Sequence, residues 1–330
     1  MCSMGFDKQG RTFAGVLTAL FLLVMSAPAL AVESKPAPWR GSTFSYRNAA
    51  SAISLDKGAE LSYNPYYVMS FEFAPRWWFG KYAYVSADAD LSRELTDADD
   101  TTREGEWWWG DVRVGAGGTA PRIPVVGLIF SAKVDVIAPT SKVAQARTMI
   151  LGVRPQVSVA RTFKVLSGIS LAYAFQATRF FNEYTTSQRK VPLIPGCTGG
   201  ASCARFSNLG LRNTEWRLTN AASVGIDFTS WLGLSADFAL IVDTLYDMAE
   251  DDRVSFEPQG GTNKRYLMAY SAEVWGKPMP SLGLALGFST VNPQLKPDSS
   301  YEDPFINRYT TVYLDLRFHI DGFISQLRSL

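Results

Sequence analysis

The stretch GLIFSAKVDVIAP, Gly127 to Pro139, alternates apolar and polar side chains. Successive side chains of a β-strand point to opposite faces, so a period of two predicts a strand whose two faces meet different surroundings. The alternating part, Leu128 to Ala138, has 11 residues, within the roughly 9–11 that a tilted strand needs to cross a bilayer. One face carries Leu128, Phe130, Ala132, Val134, Val136 and Ala138, and the other carries Ser131, Lys133 and Asp135.

Segments of this kind recur along the chain, and we count about twelve, with about 10 or 14 as alternative counts. The connectors between them alternate in length: short links such as Gly80-Lys81 and Ser230-Trp231 alternate with long ones such as 96–106 and 182–214. The first segment, which contains NAASAISL, is also compatible with a helical turn. The segments run over 41–55, 66–79, 82–95, 107–118, 127–138, 150–163, 168–181, 215–229, 232–244, 265–277, 281–291 and 309–319.

A soluble β-sandwich also alternates, and it is the competing architecture. Its strands are shorter, about 5–6 residues, and it gives no reason for aromatic residues to collect at both ends of the strands. Here Trp77 and Trp231 lie at short links, while Tyr66 and Trp107 lie at long ones. Tight turns at one end and extended loops at the other are typical of a membrane barrel. We therefore predict an all-β, antiparallel up-and-down transmembrane β-barrel over residues 41–319.

Residues 1–31 have the pattern of a secretory signal peptide. Lys8 and Arg11 precede an apolar run, and Ala29-Leu30-Ala31 supplies the small-residue cleavage pattern, so we expect cleavage near Ala31. An uncleaved anchor is the alternative, but the apolar run is short for a spanning helix. We expect 32–40 to be a short periplasmic segment and 320–330 a periplasmic tail. In an exported chain, Cys197 and Cys203 are expected to form a local disulfide.

The last strand adds a more specific signal. Tyr309–Phe318, YTTVYLDLRF, alternates in the same way and closes on a phenylalanine, after which the chain continues with HIDGFISQLRSL. In these features the chain resembles the outer-membrane β-barrel proteins of Gram-negative bacteria, a porin-like class. The resemblance implies location in the bacterial outer membrane and contact with outer-membrane lipid and lipopolysaccharide. It also implies handling by periplasmic chaperones and the barrel assembly machinery, with Phe318 in the assembly signal.

Counting alternate positions along the strands predicts the side chains that line the lumen. The same count places Trp108 on the lipid side, as a membrane-interface anchor together with Trp77 and Trp231, and directs Trp107 and Trp109 to the mouth of the lumen as rim aromatics. The predicted lumen-lining residues are Glu72, Arg76, Asp88, Asp90, Asp111, Arg113, Lys133, Asp135, Arg154, Arg217, Asp237, Glu273, Asp315 and Arg317.

A narrow channel for passive or gated passage of small hydrophilic solutes is the function that this lumen suggests, with an acidic excess favouring cations. A plugged structural or surface-interaction barrel, such as an adhesin or envelope protein, is the alternative. A lipid- or peptide-hydrolysing barrel is a third. The chain has one histidine, His319, at the end of the last strand, and we expect no enzyme, metal site or cofactor. A net charge of +1 gives no reason to expect nucleic acid as a partner.

Overall fold

A computed structural model of this chain describes residues 36–52, 66–96, 105–187, 212–247, 263–296 and 298–328. Fourteen strand segments form twelve antiparallel strands, because two strands are each interrupted once. In chain order they are β1 (Thr43–Ser51), β2 (Tyr67–Ala74 and Arg76–Phe79), β3 (Ala83–Glu94), β4 (Trp107–Trp109 and Arg113–Thr119), β5 (Leu128–Ile137), β6 (Met149–Phe163), β7 (Gly168–Asn182), β8 (Thr214–Asp227), β9 (Leu232–Leu245), β10 (Lys264–Met279), β11 (Leu282–Pro293) and β12 (Thr311–His319).

In the part of the chain that the structure describes, two helices accompany the strands: α1 (Lys142–Ala146) between β5 and β6, and α2 (Ile320–Arg328) directly after β12. Among the residues described, no helix has the length and apolar character of a transmembrane span. The predicted signal peptide and both Cys197 and Cys203 lie outside the described residues, so the cleavage site and the disulfide stay predictions.

The sheet closes on itself. Each strand pairs with its neighbours in sequence, and β1 pairs with β12 from Thr43 opposite His319 to Ser51 opposite Thr311. Every strand therefore has two partners, and no row of backbone N–H and C=O groups is left at an edge. The predicted all-β, up-and-down barrel of about twelve strands is confirmed.

The two faces of the barrel wall differ as the alternation predicts. In β5 the side chains of Val134 and Val136 are about half exposed on the outer face, whereas Asp135 between them is fully buried on the inner face. The inner face is mostly charged, polar or small. An apolar cluster on β7 to β11 is built around Ile241 and the alanines Ala174, Ala221, Ala239 and Ala269. Apolar residues thus face outward, the reverse of a soluble protein.

The interruption in β4 changes which way its side chains point. Trp109 lies opposite Leu91, and Arg113 lies opposite Asp88, so four steps along β4 match three along β3. This extra residue is a β-bulge, and one extra residue reverses the alternation of everything beyond it. Gly110 belongs to the bulge, where an added Cβ would lie 2.1 Å from Asp90 Oδ1.

The predicted orientation of the three tryptophans is therefore wrong. Trp108 is buried, at 8% exposure, whereas Trp107 and Trp109 are 42% and 57% exposed. Trp108 lies opposite Ser92 of β3, whose neighbours at alternate positions, Asp90 and Glu94, face inward. Trp107 is thus not a rim aromatic of the lumen but stacks on Phe71 at the outer face, with ring centroids 6.2 Å apart.

Candidate functional site

Ion pairs cover the inner wall between β3 and β6. Arg113 of β4 donates to Asp88 of β3, and both side chains are buried. On the neighbouring strands, Asp135 forms ion pairs with Lys133 and with Arg154, each with a nitrogen–oxygen distance of 2.7 Å. Asp135 has no exposed surface, so two cations hold one buried carboxylate in place. Burial of a charge is costly unless it is paired in this way.

A second network lies on the wall formed by β10, β12 and β1. Asp315 accepts two hydrogen bonds of 2.6 Å from Arg47 and one of 2.9 Å from Arg317. Arg317 also donates to both oxygens of Glu273, at 2.8 and 2.5 Å, and the Tyr313 hydroxyl donates to Glu273 at 3.0 Å. The guanidinium of Arg47 lies 3.9 Å from the centre of the Tyr313 ring. Arg47 was missing from the residues predicted to line the lumen, yet it joins the first strand to the last.

These pairs lie along the wall. Arg113–Asp88, Arg154–Asp135, Arg47–Asp315 and Arg217–Asp243 each join adjacent strands, and Arg317–Glu273 joins strands separated by one. A pair that joins neighbouring strands takes little space from the middle of the barrel. These five ion pairs therefore line the lumen and do not reach across it.

Three inward carboxylates form no ion pair with a described lysine or arginine. Glu72 and Asp90 lie opposite each other on β2 and β3, and Asp237 lies on β9. Glu72 accepts a hydrogen bond of 3.3 Å from Ser45, and Asp237 accepts one of 3.1 Å from Ser271. One oxygen of Asp90 and one of Asp237 are buried without a hydrogen-bond partner. The second cation on Asp135 and the Arg76 guanidinium offset part of this charge, so the lumen wall in the described part of the chain carries a small surplus of negative charge.

Arg76 lies apart from these groups, at the short-turn end of the lumen. Its guanidinium lies 4.6 Å from the centre of the Tyr84 ring, and Arg40 of the N-terminal segment stacks 4.0 Å from the centre of the Trp78 ring. The Trp78 indole N–H donates to the carbonyl of Arg40 at 2.9 Å. These contacts fix the segment before β1 against this end of the barrel.

The opposite, long-loop end is partly covered by the β5–β6 loop, residues 138–148, which contains α1. Ala144 and Ala146 of this helix are buried, at 3% and 1% exposure. Ser141 caps the helix, since its Oγ accepts from the N–H of Ala144 at 3.0 Å. Small residues and a cap let one short turn of helix pack closely inside the barrel mouth.

The loop is tied to the barrel on both sides. At β4, the Asp111 carboxylate accepts from the N–H of Ser141 at 2.9 Å. At the far side, the carbonyl of Arg147 accepts from the side-chain amides of Asn182 and Asn213, at 2.7 and 2.9 Å. Since these anchors lie on β4 and at the ends of β7 and β8, the loop crosses part of the outer mouth.

Trp108 contributes to the same arrangement. Its indole N–H donates to Glu106 at 3.2 Å, and the ammonium of Lys142 in α1 lies 5.1 Å from the centre of its ring. Lys142 also forms an ion pair with Glu106. The tryptophan predicted as a membrane anchor therefore packs with α1 at the mouth of the barrel. The alternation of side chains did not predict this position of Trp108, because the bulge at Gly110 reverses the alternation.

The β11–β12 loop, residues 294–310, lies against the outside of the barrel. Asn307 donates to Asn292 at 3.1 Å, and Phe305 packs edge-on against Tyr270 of the outer face, with centroids 4.9 Å apart. Backbone N–H groups of Phe305 and Ile306 donate to Asp303 and hold the pKa of that carboxyl below its usual value. The long 182–214 connector lies largely outside the described residues.

Two of the predicted interface anchors lie where a membrane interface would meet the outer face. Trp77 and Trp231 are about half exposed at the short-turn end. Phe318 also faces outward, against Phe44 of β1 with ring centroids 5.9 Å apart. His319, the single histidine, ends β12. Across the described ranges, His, Cys, Asp and Glu form no group that could hold a metal ion.

No protein-family model matches the chain, and no curated protein matches it. Among solved structures, it is similar to an outer membrane channel from Pseudomonas putida F1, with 10% identity, 88% of this chain and 99% of that chain covered, and a TM-score of 0.53. LpxR from Salmonella typhimurium gives 10% identity, 84% and 100% coverage and a TM-score of 0.38. The translocator domain of the autotransporter NalP from Neisseria meningitidis gives 9% identity, 94% and 95% coverage and a TM-score of 0.38.

At these identities the likeness concerns the fold. It agrees with the sequence resemblance and with the closed, antiparallel barrel whose apolar residues face outward. In its fold, therefore, the chain is an outer-membrane β-barrel.

Proposed function

We propose that this barrel is a narrow, weakly cation-selective channel for small hydrophilic solutes. The observation that carries the proposal is the inner wall: its charges pair along the wall between neighbouring strands, and Glu72, Asp90 and Asp237 add a negative surplus. A wetted lumen lined by fixed carboxylates favours cations over anions. The similar Pseudomonas putida protein is described as a channel.

The proposal places the protein in the bacterial outer membrane after removal of a signal peptide near Ala31. Its surroundings there would be outer-membrane lipid and lipopolysaccharide, and periplasmic chaperones and the barrel assembly machinery would deliver it. We infer no enzymatic function, because the one histidine lies at the short-turn end, away from the loops. Turnover of a lipid or peptide substrate by the purified barrel would contradict that inference.

A plugged structural barrel is the second candidate, and the α1 loop favours it. This loop is held on both sides of the mouth by Asp111 and Asn213. Planar-bilayer recording of the purified protein separates the two functions. A folded barrel, shown by a heat-dependent shift in gel mobility, that gives no conductance at any voltage would overturn the channel and leave the plugged barrel.

The acidic surplus gives a test of selectivity. We expect the double substitution Asp90→Asn and Asp237→Asn to lower the cation-to-anion permeability ratio about twofold to fivefold, the effect of roughly 0.5–1 kcal/mol of lost attraction in a wet lumen. Asparagine keeps the shape of the side chain and removes the charge. The measurement is the reversal potential in a potassium chloride gradient.

Asp298→Asn is the matched control, because Asp298 is a fully exposed carboxylate in the β11–β12 loop. We expect it to leave the reversal potential unchanged. If the double variant conducts with the same permeability ratio as the unmodified protein, the two lumen carboxylates do not select the permeating ion.

A further inference from the structure

The helix after the last strand, α2, docks on the barrel through one face. Gly322 and Gln326 are four residues apart and so lie on the same face, one turn from each other. Gln326 accepts a hydrogen bond of 2.6 Å from the Ser281 hydroxyl in the β10–β11 turn. At Gly322 an added Cβ would lie 2.1 Å from the carbonyl oxygen of Pro280, so the helix backbone touches the turn directly.

The apolar face of α2 points away from that turn. Ile320, Phe323, Ile324 and Leu327 follow the spacing of one helical stripe. Phe323 and Leu327, two of the four apolar side chains of the stripe, are 54% and 55% exposed. The contacts with Pro280 and Ser281 therefore fix the helix and leave its apolar stripe uncovered.

The position of this stripe indicates what covers it. Phe318, two residues before α2, already lies on the outer face of the barrel. The same short-turn end carries exposed Trp77, Trp231 and Met279, the kind of side chains that mark a membrane interface. The stripe thus continues the apolar outer face past the end of the strand.

We propose that α2 lies flat in the periplasmic leaflet, with Phe323 and Leu327 in the acyl boundary and Gly322 and Gln326 on the barrel. A short amphipathic helix with Phe, Ile and Leu on one side suits this interfacial position. The helix then anchors the end of β12, the strand that closes the barrel. The inference rests on the outer-membrane location proposed above, but it does not require the barrel to conduct.

Spin labels test the proposal in the full chain reconstituted into phosphatidylethanolamine–phosphatidylglycerol vesicles. Leu327→Cys and Ser325→Cys would be labelled separately in a background with Cys197→Ser and Cys203→Ser, and a heat-dependent gel shift would report folding. We expect the label at 327 to collide with oxygen and to be shielded from a water-soluble nickel chelate. The label at 325 should show the reverse.

A label at Leu286→Cys, on the outer face of β11, separates the possible failures. If this label is shielded from nickel and the label at 327 is not, the barrel is in the bilayer but α2 is not, and the helix proposal is overturned. Protection of position 327 from both reagents would mean that protein covers the stripe, which also overturns it. If the Leu286 label is itself open to nickel, the outer-membrane location fails.

Discussion

Replacing Asp315 by alanine is expected to destabilise the folded barrel by about 3–5 kcal/mol, the cost of removing one partner from a buried ion pair. Asp315 is almost fully buried and accepts hydrogen bonds from Arg47 on β1 and Arg317 on its own strand. Without it, two guanidinium groups face each other where the first and last strands meet. Urea unfolding in lipid vesicles, followed by tryptophan fluorescence, measures the change.

A double variant tests whether the effect arises from the Arg47–Asp315 ion pair. Combining Arg47→Ala with Asp315→Ala also removes the guanidinium that the single change leaves without its carboxylate. The remaining guanidinium, that of Arg317, keeps its two hydrogen bonds to Glu273. The double variant should therefore be less destabilised than the sum of the two single variants. Asp298→Ala, on the exposed β11–β12 loop, should not move the unfolding midpoint. An unchanged midpoint for Asp315→Ala would show that the closure of the barrel does not depend on this carboxylate.

Much of the lumen wall could be predicted from the sequence, because the alternation of polar and apolar side chains along a barrel strand shows which side chains face the lumen and which face lipid. In β5, Lys133 and Asp135 alternate with Val134 and Val136, and burial follows the same alternation. The argument is local, so it needs only the period of two. The alternation within one strand does not predict which charged side chains form ion pairs, because the pairing depends on the register between strands.

Arg47 illustrates the limit. Its partner Asp315 lies at the other end of the chain, and the two meet only because β1 pairs with β12. The sequence around β1 was also compatible with a helical turn, and Arg47 was not among the residues predicted to line the lumen. The pairing of β1 with β12 closes the barrel and brings Arg47 into contact with Asp315.

Trp108 illustrates a second limit. One extra residue at Gly110 to Val112 reversed the alternation, and a count carried across the bulge assigned all three tryptophans to the wrong face. A glycine beside an aromatic run is a possible sign of a bulge. The close approach of the Asp90 carboxylate to Gly110 is visible in three dimensions alone.

The α1 loop leads to the largest expected effect on conduction. Replacing residues 141–147 by a short Gly-Ser linker should raise single-channel conductance about twofold or more, because a helix with its side chains is roughly 10–12 Å across and α1 covers part of a twelve-stranded mouth. The linker removes the buried Ala144 and Ala146 together with the contacts to Asp111, Asn182 and Asn213. Planar-bilayer recording gives the conductance.

A matched change elsewhere shows whether the loop itself narrows the path. Removing residues 298–300 shortens the β11–β12 loop, which packs against the outer face through Phe305 and Tyr270, and it should leave conductance as it was. Equal conductance of the α1 replacement and the unmodified protein, with both barrels folded, would mean that ions already pass beside α1. The constriction would then lie deeper, at the level of Asp135 and Asp315, where the wall charges are most buried.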